Sequence, residues 1–230
     1  MPSSRQVLDR VKTMPFANRS EAGKQLSVEL LQYRTGRPVV LALPRGGVPV
    51  AAEIAAALNA PLDLLLVRKI GVPMQPELAM GAVVDGAHPI VVRNEDVIRQ
   101  LGITDEEFDK VRDTELAEIE RRRKRYLGDR PPVEVKDRVA IVVDDGIATG
   151  ATIRAGLRAT RMRKPARLVL AAPVAPPDTL DALRGQADDI VCLETHRFFG
   201  AIGAYYDDFT QVADETVIAL LEEARARAPG

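Results

Sequence analysis

The 230-residue sequence predicts an open α/β fold: a mainly parallel sheet flanked by helices, with a helical and hairpin insertion and a small hood. Three observations carry this. Short continuous apolar runs alternate with glycine-rich turns and helical segments, the order expected where helices cover both faces of a parallel sheet. Residues 94–130 break that rhythm with a densely charged helical stretch. The length suits one domain with an insertion. Residues 1–230 are therefore read as a single domain, 70–135 as a lid or insertion within it, and 194–209 as a candidate hood.

In chain order, Ser20 is placed to cap a helix running to about Tyr33, with Leu26, Leu30 and Leu31 as its apolar stripe. Val39 to Leu43 reads as a strand, followed by Pro44-Arg-Gly-Gly47 and an alanine-rich helix to Leu58. Leu62 to Val67 is the next strand, closing at Arg68-Lys69. A turn-rich segment from Gly71 to Pro76 and a hairpin from Met80 to Arg93 follow. Thr104-Asp-Glu-Glu107 is a capping box for a helix reaching about Tyr126, and Gly128 to Pro132 ends it. The core resumes with a strand over 139–143, a helix from about Gly150 to Met162 and a strand over 168–172. A helix over 176–184, a strand over 189–193 and a last helix from Thr210 to about Ala228 complete it.

Composition narrows the function classes. With 46% hydrophobic and 28% charged residues the chain reads as soluble and globular. A formal net charge of -1 supplies no field to recruit nucleic acid or an anionic membrane. Arg121-Arg-Arg-Lys-Arg125 sits in the last turns of a helix whose upstream part is acidic, so it reads as a self-compensating surface. The single cysteine, Cys192, lies in an apolar strand run and reads as a buried thiol, not a nucleophile. No signal stretch or run of eighteen apolar residues occurs, which makes the cytoplasm the expected location. Two isolated histidines, His88 and His196, exclude a histidine-based zinc site; any metal is expected to be a hard, oxygen-bound ion.

The most informative run is Val139-Ala-Ile-Val-Val-Asp-Asp-Gly-Ile-Ala-Thr-Gly-Ala-Thr152. A buried strand ends in two carboxylates, Asp144 and Asp145, and a small loop then feeds a helix. Ligands sit at the carboxyl ends of strands in open parallel sheets. A loop entering a helix N-terminus leaves several amides unpaired, which suits a phosphate. Adjacent carboxylates accept hydrogen bonds from vicinal hydroxyls or hold a divalent ion. One sugar phosphate satisfies both halves. A Walker A loop is excluded because no Gly-Lys-Ser/Thr follows the glycines.

This run resembles the signature of the type I phosphoribosyltransferases, which bind 5-phosphoribosyl 1-pyrophosphate. The resemblance implies that Asp144 and Asp145 read the ribose hydroxyls and bind magnesium. It also implies that Gly146, Ile147, Ala148, Thr149 and Gly150 wrap the 5-phosphate with their amides, with hydroxyls from Thr149 and Thr152. Pro44-Arg-Gly-Gly47 is similar to the family's pyrophosphate loop, which often contains a strained peptide bond. There Gly46 and Gly47 would allow close approach of a polyanion, and Arg45 would donate to its oxygens. Arg68 and Lys69 are candidates to neutralise the leaving pyrophosphate, Lys69 being the better contact and Arg68 a partner for the acidic turn; a plain solvated strand end is the alternative.

The implied reaction displaces pyrophosphate from C1 of the ribose by a nitrogen nucleophile through an oxocarbenium-like transition state. Gln75 to Gly81 is the expected base of a lid excluding water, and Glu77 is its only carboxylate. The acceptor is unspecified. The aromatics of Phe198-Phe199 and Tyr205-Tyr206 either stack on it or pack the last helix onto the sheet, and His196 reads as a surface or hydrogen-bonded residue, ligand contact being the alternative. A homo-oligomer, expected to be a dimer, acting on a small-molecule substrate without membrane or nucleic-acid partners completes the expectation. A sensor of the sugar pyrophosphate or of a nucleotide, and an acceptor-independent hydrolase, are the competing classes.

Overall fold

The computed structural model describes residues 15–86 and 89–227. The core is a five-stranded sheet of β1 (Val39–Ala42), β2 (Leu62–Leu64), β6 (Val139–Val143), β7 (Arg167–Ala175) and β8 (Asp189–Thr195). Its order is β2-β1-β6-β7-β8, with every neighbouring pair parallel. A second, antiparallel sheet holds β3 (Val67–Val72), β4 (Gln75–Val84) and β5 (Ile90–Arg93).

Alternating residues of the core strands feed two cores, because successive side chains leave a strand on opposite faces. Val40, Ala42, Ile141, Val143, Val169 and Ala171 pack with α1 (Arg19–Leu30), α2 (Gly47–Leu58), α4 (Asp105–Leu127) and α7 (Asp214–Arg227). Val39, Leu41, Ala140, Val142, Leu168, Leu170 and Cys192 pack with α5 (Ala151–Met162) and α6 (Pro177–Leu183). The remaining helix, α3, spans Glu95–Leu101 and has no counterpart in the sequence reading.

Two expectations need correction. The cap of α1 is Asn18, whose side chain accepts the Glu21 amide at 3.0 Å; the Ser20 hydroxyl bonds Glu53 on α2 instead. The apolar run over 62–67 is not one strand. Only Leu62–Leu64 join the core sheet, and Val67 already begins β3, so Arg68 and Lys69 lie inside the second sheet. Leu65, Leu66 and Val67 are apolar for different neighbours, and a continuous run carries no mark of where the chain changes sheets. The hairpin expected over 80–93 is the β4–β5 pair, with β4 beginning earlier, at Gln75.

The capping box of α4 is present in both directions, Thr104 and Glu107 each bonding the other's amide. The basic run at its end is paired: Arg121 and Arg122 with Glu118, Arg123 with Asp85, and Arg125 with Asp214 and Glu215. Cys192 is buried, and burial pushes its thiol up to about 12, which removes it as a nucleophile.

Candidate functional site

Strand β6 stops at Val143, and the next two residues carry the acidic pair into different surroundings. Asp144 is partly exposed and lines a cavity of about 210 Å³ with Leu43, Pro44, Arg68, Ile119 and Thr152. Desolvation first, and the charge of Asp145 second, hold its carboxyl well above the usual carboxylate range. Asp145 is only 7% exposed. Its Oδ2 accepts the Arg19 Nε–H at 2.7 Å, and its carbonyl accepts the Tyr206 hydroxyl at 2.6 Å. Burial, then the Asp145 charge, raises that phenol far above its ordinary value, so Tyr206 keeps its proton and donates it to that carbonyl.

The loop after the pair is anchored by Ile147, whose side chain is buried and whose N–H donates to the Val174 carbonyl at 2.9 Å. Ile147 is therefore not a ligand amide, which corrects the expectation that all of 146–150 donate. A core residue in mid-loop spends its N–H on the neighbouring strand. The amides of Gly146, Ala148, Thr149 and Gly150 donate to no protein atom among the described residues. Gly150 enters α5 at φ 72°, left-handed backbone that glycine adopts without strain, and it caps the helix without a side-chain acceptor. Thr149 and Thr152 are exposed beside these amides.

The Pro44–Gly47 turn faces the acidic pair. The Pro44–Arg45 peptide is cis. Gly46 lies so close to Asp145 that a Cβ there would come within 2.0 Å of Oδ2. Arg45, partly exposed, reaches Asp214 Oδ1 at 3.5 Å. Asp214 also receives the Tyr126 hydroxyl at 2.6 Å and Arg125 at 2.7 Å. Of the two basic candidates, Arg68 lies in the cavity with Asp144 while pairing with Glu115 on α4 at 2.6 Å. Lys69 points away to the Glu77 carbonyl and carboxylate at 3.1 and 3.2 Å. Glu77 is exposed on β4 and touches that lysine rather than the acidic pair.

The late aromatics fall into separate groups. Phe16, Tyr206 and Phe209 cluster over the start of α1, with ring centroids 5.5 Å (Phe16–Tyr206) and 5.1 Å (Tyr206–Phe209) apart. Tyr205 lies between His196 and Phe199 at 4.6 and 5.0 Å, while Phe198 is fully exposed. His196 meets the buried Glu194 at 3.2 Å; His88 lies outside the described residues. The residue the sequence reading missed is Arg19. Nothing in a helix-capping segment marks an arginine whose partner is 126 positions away.

A family model described as a phosphoribosyl transferase domain matches residues 17–210. The chain belongs to this phosphoribosyl transferase family. A Mycobacterium tuberculosis protein, found in strains CDC 1551 / Oshkosh and H37Rv and provisionally described as a phosphoribosyl transferase, is 45% identical over 209 residues. That alignment covers 91% of this chain and 47% of the mycobacterial one, so the chain spans about half the length of these relatives. The crystal structure of TT1426 from Thermus thermophilus is similar with a TM-score of 0.79 and 39% identity, covering 91% of this chain and 99% of that one. Within this phosphoribosyl transferase domain both Arg19 and Tyr206 fall inside the match, while Asp214 and α7 lie beyond it. Among the described residues, no group of three or more His, Cys, Asp or Glu side chains is placed to hold a metal, and no helix is long and apolar enough to cross a membrane.

Proposed function

We propose that the protein transfers the 5-phosphoribosyl group from 5-phosphoribosyl 1-pyrophosphate to a nitrogenous acceptor and releases pyrophosphate. The observation that carries this reading is one strand end placing a cavity-lining carboxylate, Asp144, beside four loop amides with no protein acceptor among the described residues. Those amides suit a terminal phosphate, and the carboxylate suits the hydroxyls of the attached sugar. Arg68, which lines the cavity with Asp144, and Arg45 of the Pro44–Gly47 turn would take charge from the leaving pyrophosphate.

Magnesium fits this donor set. It binds through one or two carboxylates and completes its shell with substrate oxygens and water, so no third protein ligand is required. Asp144 would hold it, supported by Asp145, and the ion would neutralise charge on the departing pyrophosphate. As the C1–O bond breaks and the C1–N bond forms, positive charge grows on the ribose facing the acidic pair. Segment 70–135 as a lid, segment 194–209 as a hood over the acceptor, and a cytoplasmic homodimer without nucleic-acid partner belong to the same proposal.

Titration calorimetry with phosphoribosyl pyrophosphate and magnesium, followed by a pyrophosphate-release assay over a panel of bases and amines, tests it. Acceptor-dependent release is the expected result. Release without acceptor would make the protein a hydrolase, binding without release a sensor, and no binding would end the proposal. Within the same assay, Arg45→Ala should weaken pyrophosphate binding by about tenfold or more, the scale of one lost charge-assisted hydrogen bond. Ribose 5-phosphate should bind that variant almost unchanged; an equal loss for both ligands would count against the loop's role.

A further inference from the structure

Arg19 joins two parts of the site that are far apart in sequence. Its side chain is about 10% exposed, and its Nε–H donates to Asp145 Oδ2 at 2.7 Å. Its Nη1–H donates to the Thr210 carbonyl at 2.9 Å, and its guanidinium carbon stands 3.8 Å from the centre of the Phe209 ring. Tyr206 closes the circuit by donating to the Asp145 carbonyl. The backbone of the same segment is tied to the start of α1, since Asp207 N–H and Asp208 N–H donate to Phe16 and Ala17 carbonyls at 2.8 and 3.0 Å. Arginine alone can do this, because its planar fork holds a carboxylate, a carbonyl and a ring face together, whereas an ammonium makes point contacts.

We infer that Arg19 is a positioning residue that couples occupation of the sugar site to ordering of segment 202–210, which overlaps the end of the stretch 194–209 proposed to cover the acceptor. The inference rests on the phosphoribosyl transfer reading above. A sugar hydroxyl bound by Asp144 acts on Asp145, whose N–H donates to Asp144 Oδ1 at 2.9 Å, and through Asp145 on the guanidinium bonded to it. The same guanidinium then holds Phe209 and Thr210 in place. Coupling of this kind is reciprocal, so a closed covering segment favours the bound sugar in return. The device would assemble the acceptor pocket only over a loaded sugar, limiting attack by water.

Hydrogen exchange of the full chain, read on peptides spanning 146–150 and 202–210, tests the coupling. Wild type, Arg19→Lys and Phe209→Leu are compared alone, with pyrophosphate and magnesium, and with phosphoribosyl pyrophosphate and magnesium. In wild type the activated sugar should slow exchange in both peptides, by about fivefold or more in 202–210. Pyrophosphate, which carries no sugar, should leave 202–210 unchanged. Arg19→Lys should keep the ligand-linked protection of 146–150 and lose that of 202–210, and Phe209→Leu should lose part of it. Protection of 146–150 without any change at 202–210 in wild type would overturn the coupling while leaving the transfer reading intact, and needs no variant to fold. Retention of the full effect in Arg19→Lys would overturn it equally. No protection at 146–150 in wild type would remove both.

Discussion

Replacing Asp144 by asparagine is expected to cut affinity for magnesium phosphoribosyl pyrophosphate by on the order of 100-fold, the scale of one or two charge-assisted hydrogen bonds. The same change should make the protein more stable at neutral pH. Asp144 is the member of the pair that lines the cavity, yet burial desolvates its carboxylate, which also faces a like charge. Its folded-state pKa is therefore raised above that of the unfolded chain. For a carboxyl shifted that way the stabilising contribution is fully present below the unfolded pKa and is lost as pH rises through the folded one. Asparagine removes this loss while its side-chain oxygen can still accept the Asp145 amide that Asp144 Oδ1 now receives at 2.9 Å.

Melting curves should thus show Asp144→Asn above wild type at pH 7. The gap should narrow as pH falls toward the unfolded carboxylate range. A variant that binds normally would remove Asp144 from the site. A variant that melts lower at pH 7 would show that the carboxylate is there for structure and not for ligand. The combination of lost binding and gained stability is the signature of a group held in an unfavourable place for function.

The parts of the site that could be read from sequence are those set by local order. Val139 to Thr152 places a strand, an acidic pair, a loop and a helix start within fourteen residues, and the structure keeps that order. Arg121 and Arg122 of the basic run likewise pair with an acidic neighbour on their own helix, Glu118, whereas Arg123 and Arg125 reach Asp85 and Asp214 on other segments. What could not be read depends on contacts between distant segments. Arg19 meets Asp145 across 126 positions, and Arg45 meets Asp214 across 169. The different environments of Asp144 and Asp145 follow from the first of these contacts, since adjacent identical residues carry no sign of which will be covered. The change of sheet between Leu64 and Val67 was hidden for a related reason: burial makes both ends of the run apolar, whichever sheet they join.

Gly46→Ala should be the most damaging substitution of a single methyl group in the molecule's candidate site. A Cβ at position 46 would lie 2.0 Å from Asp145 Oδ2 and 2.5 Å from its Cγ, far inside van der Waals contact. Ordinarily a carboxylate could swing aside. Here Oδ2 is held by Arg19 in a pair that is about 10% exposed on each side, and the Asp145 backbone is held by Tyr206. Breaking such a buried pair costs about 3–5 kcal/mol, whereas displacing the loop costs about 1–3 kcal/mol, as for other overpacked sites. The loop should therefore move and the pair survive. That shift carries Arg45 and the adjoining amides away from their ligand positions, and a displacement of about 1 Å is enough to lose on the order of 100-fold in affinity or rate. The expected result is a lower melting temperature together with loss of pyrophosphate binding, measured by calorimetry on the same preparation. In an Asp145→Ala background all three atoms nearest that Cβ are gone, so adding Gly46→Ala there should cost little further stability, a non-additivity that a double-mutant cycle reads directly. Equal costs in the two backgrounds would place the strain elsewhere and break the link between the glycine turn and the acidic pair.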